Sequence, residues 1–110
     1  MIGYRTQING KYTPWFLSEE RLRAEISAYC PTVHLLDTDI ERGEVNAYEI
    51  EWTVAGSKES GPTRIGIPEK GFGEPQRFAR ELIHWKFGEN IRSKVRAIRM
   101  LSTQTALRWT

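Results

Sequence analysis

The chain carries a single cysteine, Cys30, so an internal disulfide is excluded, as is a zinc centre built from four cysteines or from two cysteines and two histidines. No apolar run approaches the ~20 residues that span a bilayer. The opening Met1-Ile2-Gly3-Tyr4-Arg5 lacks the apolar core of a signal peptide, so a reducing, cytoplasmic setting is expected. There is no internal repeat, heptad pattern or Pro/Gly/Ser-rich linker, and residues 1–110 read as one domain. Acid is missing from one end: the last carboxylate is Glu89, and Arg92, Lys94, Arg96, Arg99 and Arg108 follow it unopposed.

What is present is a divided charge. Residues 1–55 hold 5 Lys/Arg against 9 Asp/Glu, a balance of −4, and residues 56–110 hold 11 against 5, a balance of +6, behind a formal total of +2. A concentrated positive field attracts phosphates or acidic protein surfaces. Apolar content of 39% and charged content of 27% are globular values. Four Trp, four Tyr and four Phe exceed what a core of this size needs, and the surplus points to a contact surface.

The periodicities predict an order β-α-β-β-β-α-β. Asn9-Gly10 predicts a turn between strands 2–7 and 11–16. Ser18 caps a helix with Glu19 and Glu20 in its first turn, and Leu17 and Leu22 stand at the staple positions. Leu22, Ile26 and Tyr29 form its apolar stripe, Glu19–Arg23 and Arg21–Glu25 are pairs on its wet face, and Pro31 ends it. Residues 33–38 predict a strand with a turn at Arg42-Gly43-Glu44. Tyr48, Ile50, Trp52 and Val54 alternate with Ala47, Glu49, Glu51 and Thr53, a strand with one buried and one acidic face. Ile65 and Ile67 belong to a further strand that Pro68 ends. Pro75 opens a helix with the stripe Phe78, Leu82 and Trp85, and Gly88 closes it. Segment 91–101 carries two signals at once: Ile91, Val95 and Ile98 at helical spacing, and Arg92, Lys94 and Arg96 at strand spacing. A strand completes the sheet and is preferred. The fold expected is α+β, an antiparallel sheet with two helices on one face, ferredoxin-like in broad architecture.

Asp37, Asp39 and Glu41 offer oxygen ligands to a hard cation, with Glu49 or Glu51 as a further acid. Beside Arg42-Gly43 they read more simply as turn residues, and no metal is expected. Cys30 with His34 or His84 supplies the parts of a nucleophile pair. Cys30 before Pro31 reads first as a small core residue.

Strand 65–67, the glycine turn Lys70-Gly71-Phe72-Gly73 and the helix from Pro75 together make a backbone anion cradle. This stretch resembles the cofactor-binding turn of GCN5-related acetyltransferases, with Lys70, Gly71 and Gly73 on the pattern and Pro75 where a third small residue would stand. The resemblance implies acyl-CoA-type transfer and covers about twenty residues. Plain turn geometry is the competing reading. No Gly-Lys-Ser/Thr phosphate loop, dinucleotide fingerprint or sequence-reading nucleic-acid motif occurs.

The basic segment is the main functional lead. In a strand, Arg92, Lys94 and Arg96 project as a row, with Arg99 and Arg108 beyond them. Such a row binds phosphates or a partner's carboxylates, or merely protects an edge strand. The leading expectation is a non-enzymatic interaction protein without cofactor, whose acidic strand (Glu49, Glu51) and basic segment dock different partners or pair between two copies. A nucleic-acid-binding domain is the alternative. In size and lack of catalytic motifs the chain looks like the small accessory proteins of phages and mobile elements, anti-CRISPR-like inhibitors of host defence complexes included.

Overall fold

The computed structural model describes residues 1–69 and 74–109, with the side chains of 107–109 left undescribed. The order is β1 (Ile2–Arg5), β2 (Gln7–Ile8), β3 (Lys11–Tyr12), α1 (Glu19–Tyr29), β4 (Glu41–Val54), β5 (Thr63–Pro68), α2 (Pro75–Phe87), β6 (Ser93–Met100) and α3 (Thr103–Trp109). The fold is α+β, an antiparallel sheet with helices packed on it.

β4 organises everything else. Its first residues pair with β1, its middle with β5 and its last half with β6, all antiparallel. The chain at Trp15–Phe16 then bridges β1 through Tyr4 and β5 through Gly66. β1, β4, β5 and residues 15–16 therefore form a closed ring of paired segments. Val45 fills it, flanked by Gly3 and Gly66, where an added Cβ would lie 2.8 and 2.5 Å from the Val45 methyls. Glycine suits both positions because any side chain there would run into the Val45 side chain. Trp15, Leu17, Ala47 and Ala106 of α3 complete this small core.

On the other face of β4, Ile50, Trp52 and Val54 pack with Ile65 and Ile67 of β5 and with Ala79, Leu82 and Ile83 of α2. The Trp52 indole N–H donates to Thr63 Oγ1 at 3.0 Å, which satisfies two buried polar atoms. A third cluster, Phe16, Leu22, Ile26 and Ile40, joins α1 to the ring and receives Trp85 from α2.

Helix ends follow the sequence closely. The Arg21 amide donates to Ser18 Oγ at 3.1 Å. Pro75 is the first residue of α2, and Gly88 ends it at φ +87°. Ser18→Ala is expected to cost about 1 kcal/mol through the lost cap. An unchanged denaturation midpoint would contradict that role.

Several expectations are corrected. Residues 33–38 form no strand: the segment runs without regular structure into a 3₁₀ turn at Asp37–Asp39. Residues 42–44 are not a turn but the start of β4, because β1 supplies a partner there. The expected 2–7/11–16 hairpin does form, with β2 paired to β3 around Asn9 (φ 51°) and Gly10 (φ 80°) and Tyr4 bridged to Phe16, but β1 also pairs with β4 on its other side. Leu17 and Leu22 are both buried, Leu17 with Trp15 and Val45 and Leu22 with Phe16 and Ile26. Arg23 pairs with Asp37 and Glu19 with Arg42 in place of the Glu19–Arg23 pair. Glu25 is buried, not on the wet face. α3 has no counterpart among the expected elements; its cue is Ser102, whose Oγ accepts from the Thr105 amide at 3.2 Å.

Candidate binding surface

β6 resolves the double periodicity of its sequence. Glu51 pairs with Ala97 and Trp52 with Val95, so Arg96 is an extra residue in a β-bulge. Before the bulge Val95, and after it Ile98, both turn to the α2 core, which yields a helical three-residue spacing inside a strand. Alternation of side chains restarts at Arg96, so Arg92, Lys94 and Arg96 are not the regular row expected from their spacing.

Cross-strand neighbours share a face. Lys94 lies opposite Thr53, Ala97 opposite Glu51 and Arg99 opposite Glu49. The basic strand and the acidic strand are therefore side by side on one face. Arg99 Nη2 donates to Glu49 Oε2 at 3.3 Å and to Glu51 Oε1 at 3.0 Å. Arg64 of β5 approaches Glu49 from the opposite side at 3.7 Å. This corrects the expectation that Glu49 and Glu51 form an acidic docking surface of their own: their charge is largely met within the chain.

The same bookkeeping over the other described cations leaves Lys58, Arg80, Arg92, Lys94 and Arg96 outside the ion pairs, and the last three cluster at β6. All three are exposed. Arg99 belongs to the expected binding set by position but is held by two carboxylates. The side chain of Arg108 lies outside the described residues, as do Lys70, Gly71 and Gly73 of the acetyltransferase-like turn.

Apart from Lys58 and Arg80, the described Lys and Arg side chains away from β6 are engaged. A groove of about 560 Å³ between β3 and α2 is lined by Tyr12, Phe78, His84 and Trp85, among others. Its cations are committed: Lys11 to Glu89, Arg77 to Glu81, and Arg5 to Glu41 while stacked 3.9 Å from the Tyr12 ring centre.

The other candidate constellations come apart. Asp37 pairs with Arg23, Glu41 with Arg5, and Asp39 Oδ2 accepts from the Leu36 amide at 2.9 Å. Among the described residues no group of three or more His, Cys, Asp or Glu is placed to hold a metal. Cys30 packs at the edge of the α1 cluster, while His34 and His84 are exposed on separate segments. Among the described residues no helix is long and apolar enough to cross a membrane. No protein-family model matches the chain, and no match to it was found among curated proteins or solved structures.

Proposed function

We propose that this chain is a small non-enzymatic binding protein of the cytoplasm that docks on an acidic protein surface through the cations at β6. One observation carries the reading: Arg92, Lys94 and Arg96 stand exposed and without an ion pair among the described residues, on a chain whose other strand cations are engaged. Long cationic side chains presented by a strand favour a partner's carboxylates, with Arg providing bidentate contacts.

One feature favours protein over nucleic acid. The aromatic residues of β4, Tyr48 and Trp52, belong to the opposite face and pack with α2, so they are not a platform for stacking bases. An accessory protein that docks on a larger complex, such as an inhibitor of a host defence complex, would use a surface of this kind.

The test is capture from native lysate, with and without nuclease, by the parent chain and by Arg92→Glu/Lys94→Glu/Arg96→Glu. The triple variant is expected to fold normally, because exposed charges contribute little stability. It is expected to lose well over tenfold in affinity for a nuclease-resistant protein partner, with added salt slowing association. Unchanged affinity in a folded triple variant would reduce these residues to edge protection. Capture abolished by nuclease would move the reading to nucleic acid.

A further inference from the structure

We propose that β6 takes an extended acidic segment of the partner as an added antiparallel strand. This rests on the binding role proposed above and specifies how it is performed. β6 pairs with β4 alone, so its second edge has no strand partner among the described residues. The directions of its backbone groups follow from two anchors. The Leu101 amide donates to the Ala47 carbonyl at 2.8 Å, and the Arg92 carbonyl accepts from the Ala55 amide at 2.9 Å. Alternation inward from these ends turns the amides of Ser93, Val95, Ile98 and Met100 to the free edge.

A free edge of this kind binds an extended chain through main-chain hydrogen bonds, and side chains decide which chain is admitted. Here the selection is electrostatic. A second copy of β6 would set Lys and Arg against Lys and Arg, and like charges opposite one another are destabilising. The cations that block self-association therefore select for acid. A segment alternating Glu or Asp with β-branched residues would bring its carboxylates beside Lys94 and Arg96. Its apolar side chains would fall on the side of Ile98 and Met100, and Met100 is 63% exposed. The bulge at Arg96 confines regular pairing to one stretch on either side, with the stretch beyond Arg96 leading into Met100.

The experiment uses the full chain and a short synthetic peptide alternating Glu with Val. Two further versions of the peptide carry N-methyl groups, each on the amides of one edge. Binding is followed by fluorescence anisotropy and by hydrogen exchange at single amides. The parent peptide is expected to bind. Methylation of one edge is expected to weaken binding more than tenfold while methylation of the other leaves it nearly unchanged, and exchange at Ile98 and Met100 should slow. Equal binding by all three peptides, with exchange at those amides unaltered, overturns strand addition and leaves a charge-only contact. No binding by any peptide also overturns it. The proposed function fails separately, by the triple-Glu variant retaining its lysate partner.

Discussion

Phe16→Ala is expected to lose about 3–5 kcal/mol of unfolding free energy. Phe16 is fully buried at the point where three parts of the protein meet. Its backbone exchanges two hydrogen bonds of 2.8 Å with Tyr4, which closes the strand ring. Its side chain lies with Leu22 and Ile26 of α1, and its ring meets Trp85 of α2 edge-on, with centroids 5.8 Å apart. Truncation leaves a cavity that neither helix can fill, since α1 is tethered at Ser18 and α2 is packed on β4. Urea unfolding should show a lower midpoint with an unchanged slope. Phe16→Leu should lose markedly less. Equal stability of all three proteins would refute the junction role.

Glu25→Leu is the second large effect expected, at about 3 kcal/mol. The Lys86 ammonium lies 2.9 Å from Glu25 Oε2, and both side chains are only 6% exposed. Lys86 also reaches the Tyr29 hydroxyl at 3.3 Å and lies 4.5 Å from the centre of that ring. Removing the carboxylate strands an ammonium between two helices with one neutral acceptor. The Arg21–Glu25 pair is lost too, but Arg21 is half exposed and contributes little. The double variant Glu25→Leu/Lys86→Met is expected to regain most of the loss, because it removes both charges and keeps the volume. A double variant as unstable as Glu25→Leu alone would show that the cost came from packing, not from the unpaired charge. Added salt should barely change the parent's stability at this site, since a buried pair is poorly screened.

These two residues show where the sequence is legible and where it is not. The turn at Asn9-Gly10 puts Phe16 in a neighbouring strand, and it does pair with Tyr4; nothing local announces that the same segment also touches β5. Glu25 has the spacing of an exposed helix pair with Arg21, and that pair forms. Its burial comes from Lys86, sixty-one residues away, which no periodicity can locate. The same holds at the candidate surface. The acidic stripe of Glu49 and Glu51 and the basic residues after Glu89 are both visible in the sequence, but their opposition across β4 and β6 is not. Arg99 is therefore an internal partner, while Arg92, Lys94 and Arg96 remain available.

The sequence by itself determined the α+β class, the limits of α1 and α2, the buried stripe of β4 and the polarised charge. Each rests on interactions within a turn or two of chain: caps, side-chain periodicity, and the φ preferences of Asn9-Gly10, Pro75 and Gly88. Only the tertiary structure decided that residues 33–38 stay irregular, that β4 reaches back to Glu41, that the ring closes over Val45, and that a bulge places both Val95 and Ile98 on one face. Those outcomes depend on which distant segment supplies hydrogen bonds and apolar area. β1 claimed the start of β4, and residues 33–38 pair with no strand among the described residues. Pairing across long sequence separation is a competition among segments, and one strand's own pattern records its faces but not its neighbours.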